Sequence, residues 1–140
     1  YSDSKLKALL TYLIIFIIEH ELSHDINGSQ GKKINKNIND VMRYIDSNYM
    51  TDINVDNICK SFSFSSSHFS RLFKQNTGEA FSRYLSKVRL EHAIVLLSNT
   101  DKPIDQIAYE CGFKSTSYFS YAFKKEFLVS PLKYRMQMKC

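Results

Sequence analysis

The chain has 140 residues, 44% hydrophobic and 24% charged, which is the make-up of one globular domain with at most a short appendage. Four glycines and two prolines are too few for a turn-rich all-β fold, and the charged fraction is too low for a disordered tail. Nineteen Lys+Arg against fourteen Asp+Glu leave a net charge of +5, which permits an anionic partner without requiring one.

Cys59, Cys111 and Cys140 form no close pair and match neither a zinc ribbon nor a CxxC site. The expectation is reduced, buried thiols in a cytoplasmic protein. No basic-then-apolar leader with a small-residue cleavage site is legible, and Tyr1 in place of Met reads as the cut end of something longer.

The first feature in chain order is Leu9 to Ile18, LLTYLIIFII, which is apolar on nearly every face of a helix. At ten residues it falls well short of the roughly 20 that a membrane span needs. The expectation is a buried helix over residues 1–24 that mediates dimerisation or packs on another domain, with residues 6–22 as a homodimer surface and no membrane contact. His20-Glu21-Leu22-Ser23-His24 behind it matches the H-E-x-x-H pattern, which sets two imidazoles one helical turn apart beside a general base. The extended pattern would want Gly and His where the chain has Asn27 and Gln30, and nineteen residues upstream are too few for a sheet to shield the cleft. A zinc-dependent hydrolase is therefore only an alternative reading; no metal, catalytic residue or cofactor is expected. Residues 25–36, polar and carrying Gly28 and Gly31, read as a linker.

From Asn37 the pattern changes to short amphipathic helices. Ile38, Val41, Met42, Ile45 and Tyr49 mark the first, and Val55, Ile58 and Cys59 a short second. Ser65 then caps a third helix whose inner face is Phe69, Leu72 and Phe73, with Gly78 placed to end it. A longer helix over about 82–98 turns Tyr84, Leu85, Val88, Ala93, Ile94 and Leu97 inward. After it the sequence repeats. Ile104 to Ala108 echoes Val55 to Cys59, and Ser115 to Lys124 echoes Ser65 to Lys74 fifty positions on. Ser130-Pro131 opens a last helix as cap and first-turn proline.

The expected fold is all-α: two helix–turn–helix units, about 53–76 and 103–126, joined by the 82–98 helix within a domain over 37–140. A short helix, a tight turn and a capped second helix form the unit that lays its second helix in a DNA major groove. The charge follows this division. Residues 65–90 hold five Lys or Arg against Glu79 alone, and residues 111–140 hold six against Glu126 alone. Residues 37–64 and 91–110 together hold three cations against eight acids. A solvated bundle has no reason to sort charge in this way; a protein that sets two helices against phosphates does.

Over about residues 37–137 the chain resembles the DNA-binding domain of AraC/XylS-family bacterial transcription regulators. The resemblance rests on Pro103-Ile104, Ile107-Ala108, Gly112-Phe113, Ser115, Ser117-Tyr118-Phe119, Phe123-Lys124-Lys125, Ser130-Pro131 and Tyr134-Arg135. Arg71-Leu72-Phe73-Lys74, Gly78, Tyr84-Leu85, Arg89-Leu90, Ala93 and Leu96-Leu97 extend it upstream. It implies a sequence-specific transcription regulator, an activator that binds double-stranded promoter DNA and contacts RNA polymerase in the bacterial cytoplasm, at the nucleoid. A helical protein-interaction module is a further alternative.

By the same resemblance, base-reading positions fall on Ser67, Ser70 and Arg71 in the first unit, and on Thr116, Ser117, Ser120 and Tyr121 in the second. Ser65, Lys74, Lys114, Ser115, Lys124 and Lys125 are the expected phosphate-positioning residues. Arg71 is the one bidentate guanine reader among the base-reading positions, because Tyr121 stands where many members carry arginine. Much of the specificity is accordingly expected from A/T-rich DNA shape. Leu128 stands where the family often has glycine, so either an altered turn or strain of about 1–2 kcal/mol is expected there.

Overall fold

The computed structural model describes residues 10, 13–15, 17 and 32–139. The H-E-x-x-H residues and most of the expected dimerisation helix lie outside this set. Of that helix, Leu10, Leu13, Ile14, Ile15 and Ile17 are described; they are helical, and each is 41–54% exposed.

From Lys32 onward the described residues form seven helices: α1 (Lys32–Asn48), α2 (Val55–Phe62), α3 (Ser66–Thr77), α4 (Phe81–Asn99), α5 (Ile104–Glu110), α6 (Thr116–Phe127) and α7 (Pro131–Lys139). Residues 38–140 make one compact unit. The first helix starts five residues before the expected Asn37, so the end of the anticipated linker is helical. After Gly31 no glycine or proline interrupts Lys32 to Lys36, and lysine propagates a helix well.

The repeat is structural as well as sequential. In the first half Phe69, Phe73 and Phe81 pack with ring centroids 5.5–6.0 Å apart, and Tyr84 meets Phe73 edge-on at 5.3 Å. In the second half Phe119 lies 5.8 Å from Phe123, and Tyr134 meets Phe123 edge-on at 5.6 Å. Phe69, Phe73, Phe119 and Phe123 are all fully buried. Edge-to-face geometry of this kind adds to the burial itself.

Between the two aromatic clusters runs α4. It buries Phe81, Leu85 and Val88 toward its start, then Leu90, Ala93, Ile94 and Leu97 toward its end. At its start it packs on α3, and it also packs on α5, α6 and α7, so it serves both halves of the fold. Phe81 and Leu90 are buried although a single inward face did not include them, and Tyr84 is only half-buried. A helix shared by two cores has no single apolar stripe.

The second helix of each unit is capped with the same chemistry, whereas Ala80, at the place of Ser130 in the first half, makes no side-chain cap bond. Ser65 Oγ accepts from the His68 amide at 3.3 Å, and Ser115 Oγ from the Tyr118 amide at 3.1 Å. Ser130 Oγ accepts from the Lys133 amide at 3.2 Å. The turn inside the first unit passes through Ser63 with φ 59°, that of the second through Gly112 with φ 96°. Both are left-handed, the backbone state that lets a short helix reverse into the next within a few residues. Leu128 is also left-handed, so the strain alternative holds at that position.

Candidate nucleic-acid interface

With Phe69, Leu72 and Phe73 drawn inward, α3 turns Ser67, Ser70, Arg71 and Lys74 to solvent. With Phe119, Ala122 and Phe123 drawn inward, α6 does the same with Ser117, Tyr121, Lys124 and Lys125, while Thr116 and Ser120 are half-exposed. The capping residues Ser65 and Ser115 are exposed at the helix starts. The structure thus gathers the expected residues of each unit on one helix and its first-turn flank.

The polar groups on these faces are weakly held. Arg71 approaches His68 Nδ1 at 3.4 Å on the surface, too loose to fix the guanidinium. Lys74 and Lys124 make no ion pair among the described residues. Lys125 Nζ stands 6.0 Å from the centre of the Tyr121 ring, at the outer limit of a cation–π contact. Lys114 pairs with Asp52 at 3.3 Å, with both side chains more than two-thirds exposed. Such a pair is worth about 1 kcal/mol or less, so the ammonium remains available to a phosphate.

Elsewhere several of the basic residues are held by acids. Lys87 and Arg83 hold Glu79 at 3.1 and 3.5 Å. Lys102 binds Glu110 at 2.9 Å, and its hydrogen bond, with a second from Gln106, holds that carboxyl below the usual carboxylate range. Lys139 pairs with Asp101. Net charge along the sequence therefore overstates the free positive charge outside α3 and α6.

Two features were not foreseen from the sequence: the exposure of Tyr118 beside the expected Tyr121, and the backbone contacts of Arg89. Tyr118 and Tyr121 are 56% and 63% exposed, with centroids 6.5 Å apart, and give α6 an aromatic outer surface that α3 lacks. Arg89 is half-buried and turned onto backbone: its Nε donates to the Tyr49 carbonyl at 2.7 Å and its terminal nitrogen to the Thr51 carbonyl at 2.8 Å. Burial lowers its pKa, and Asp52 opposes that shift. No metal-binding cluster of His, Cys, Asp or Glu occurs among the described residues, and no described helix is long and apolar enough to cross a membrane.

A family model described as a helix-turn-helix domain matches residues 58–137. A transcriptional regulator from Chromobacterium violaceum, of the proteins containing an AraC-type DNA-binding domain, superposes with a TM-score of 0.69 at 30% identity. That match covers 79% of this chain and 96% of the other. The chain belongs to the AraC-type helix-turn-helix family. This AraC-type chain is also 31% identical over 114 residues to RhaS, an HTH-type transcriptional activator of Mannheimia succiniciproducens, covering 81% of this chain and 42% of the relative. The DNA-binding domain of AdpA, a global transcriptional factor solved in complex with a target DNA, matches with a TM-score of 0.70 at 25% identity. There the coverage is 73% of this chain and 92% of the other. The AraC-type chain spans less than half the length of the curated relatives it matches. These relatives are transcription regulators and not enzymes, and they lend no support to a zinc-dependent hydrolase or a helical interaction module.

Proposed function

We propose that this chain is the DNA-reading part of a bacterial transcriptional activator, which inserts α3 and α6 into successive major-groove segments of a promoter. The observation that carries this reading is the paired geometry: two Ser-capped twelve-residue helices with exposed, weakly held outer faces, repeated on either side of one shared helix. An AraC-type relative of comparable fold has been solved on a target DNA, which supports the assignment. Nineteen residues of α4 span about 28 Å at 1.5 Å each, close to one turn of B-DNA at about 34 Å; moderate bending closes the difference.

On this reading Arg71 contacts guanine, Ser67, Ser70, Thr116, Ser117 and Ser120 read base edges weakly, and Tyr121 packs on thymine methyl groups. Ser65, Lys74, Lys114, Ser115, Lys124 and Lys125 fix register on the phosphates. The DNA-binding domain is 37–140, with helix–turn–helix units over about 53–76 and 103–126, and residues 1–24 form a dimerisation or interdomain helix. The exposed apolar side chains Leu10, Leu13, Ile14, Ile15 and Ile17 support that last part, and residues 6–22 are the homodimer surface we would test. RNA polymerase is the second partner, and the site of action is the cytoplasm at the nucleoid.

The decisive experiment is selection of bound duplexes from a randomised DNA pool by the 140-residue chain at about 150 mM salt, a concentration at which phosphate attraction alone is weak. The expected product is an asymmetric site with two conserved blocks about one helical turn apart. Enrichment of no sequence, with binding that collapses as salt rises, would reject sequence-specific readout by this chain.

A further inference from the structure

Two halves that pack on a common helix still need something to set the angle between them. Helices of the first unit and helices of the second are joined chiefly through α4. The remaining seam is partly open: a cleft of about 320 Å³ lies between the halves, lined among others by Ile53, Phe81, Leu85, Phe113 and Tyr118. An open seam of this kind transmits little stiffness, because few atoms are in contact across it.

One point on the seam is closed tightly. Arg89 of α4 donates to the carbonyls of Tyr49 and Thr51, in the link between α1 and α2 of the first half. Charge-assisted bonds of 2.7 and 2.8 Å from one planar fork resist displacement in two directions. Gly112, in the turn of the second half, lies directly against this pair. A Cβ at residue 112 would sit 2.6 Å from the Tyr49 carbonyl oxygen, 2.8 Å from Arg89 Nε and 3.0 Å from Met50 Cα. The approach is thus closer than any other residue type permits, and the positive φ of 96° independently favours glycine. Asp52 and Lys114 bridge the same seam at the surface, but their exposure makes them a minor tie.

We propose that the Arg89–Gly112 contact sets the distance and angle between α3 and α6, which makes both positioning residues for the spacing of two-block DNA sites. The inference rests on the reading of α3 and α6 as the two base-reading helices. Gly112 is three residues before the Ser115 cap of α6, so a displacement of the turn is passed to that helix with little chain to absorb it. Arg89 fixes the other side of the contact to the loop that leads into the first unit. Neither residue needs to touch DNA for the spacing to depend on it.

The test uses the 140-residue chain and duplexes that carry the selected two-block site, with one or two base pairs inserted or removed between the blocks. Fluorescence anisotropy gives the affinity for each spacing. The unaltered chain is expected to lose tenfold or more on a one-base-pair change. Gly112→Ala and Arg89→Lys are expected to bind the best site more weakly and to lose less than threefold on that change, a flattened profile with the thermal transition still cooperative. Arg89→Lys keeps the charge while losing the planar fork, and it carries the test if Gly112→Ala does not fold. Equal weakening at all spacings, with the profile unchanged, would overturn the proposal and leave the contact a purely structural one. Indifference of the unaltered chain to spacing would instead defeat the two-helix reading on which it stands.

Discussion

Gly78 and Leu128 stand fifty positions apart at the same place in the two halves, and both adopt left-handed backbone, with φ 79° and 66°. Each donates its amide to the carbonyl four residues back, Lys74 and Lys124, at 2.8 Å. The first half meets this need with the residue that adopts the conformation freely; the second forces a leucine into it, a residue left 83% exposed. Burial does not compensate the strain.

Leu128→Gly should therefore stabilise the chain by about 1 kcal/mol, the left-handed cost less the extra entropy of glycine in the unfolded state. Gly78→Leu, where a Cβ meets nothing within 4 Å, should destabilise it by about 1 kcal/mol for backbone reasons alone, the same balance with its sign reversed. Urea midpoints of the two variants at constant m-value decide the matter. A Leu128→Gly protein no more stable than the parent would show that the leucine has a compensating contact.

How legible these relationships were depends on their range. Phe69 and Phe73, with their repeats Phe119 and Phe123, sit four apart on helices, and Ser65 and Ser115 precede them as caps. Local periodicity and cap chemistry were enough to find them. The Arg89 junction joins side chain to backbone across 38 and 40 residues. A carbonyl accepts whatever its residue type, so Tyr49 and Thr51 carry no trace of the contact, and Gly112 was visible only as one letter of a familiar pattern. Phe81 and Leu90 were missed because α4 buries residues toward two cores. The outer faces of α3 and α6 followed from the inner ones, which is why their exposure was readable before the seam behind them.

Phe123 meets Phe119, Phe127 and Tyr134 with centroids 4.7–5.8 Å away and has no exposed surface. Phe123→Ala should cost about 3–5 kcal/mol, transfer of the ring plus the cavity it leaves. Against a typical domain stability of about 5–15 kcal/mol this is a large fraction. Denaturant unfolding should show a shifted midpoint. A loss below about 1 kcal/mol would mean that the second cluster collapses to fill the void.

Cys111 is 1% exposed, and burial, aided by the nearby Glu110 carboxylate, pushes its thiol up to about 11. At pH 8 the folded thiol is neutral and shielded, so iodoacetamide should modify it only after unfolding. Peptide mass spectrometry of native and urea-treated protein separates the two cases. The sign of the linkage also follows. Because the folded pKa lies above the ordinary value of 9.0, the unfolded thiol ionises first, and this stabilising contribution is lost as pH rises from about 9 to about 11. Cys111→Ala should weaken that alkaline decline, although the smaller side chain lowers stability at neutral pH.

Arg71 and Lys124 are both exposed cations on outer helix faces, yet they should fail differently when removed. A guanidinium forked onto guanine O6 and N7 discriminates one base pair by about 1–3 kcal/mol, whereas an ammonium near a phosphate displaces one condensed counterion wherever it binds. Arg71→Ala should relax preference at a single position of the selected site while leaving the other positions ordered as before. Lys124→Ala should weaken all sequences nearly uniformly and reduce the slope of log affinity against log salt by about 1. The weak 3.4 Å approach of Arg71 to His68 supports this assignment, because little must be broken before the guanidinium can reach a base. If Arg71→Ala lowered the salt slope and left the base preferences intact, α3 would be a phosphate-contacting helix. Sequence readout would then have to come from α6, with its Tyr118 and Tyr121 surface.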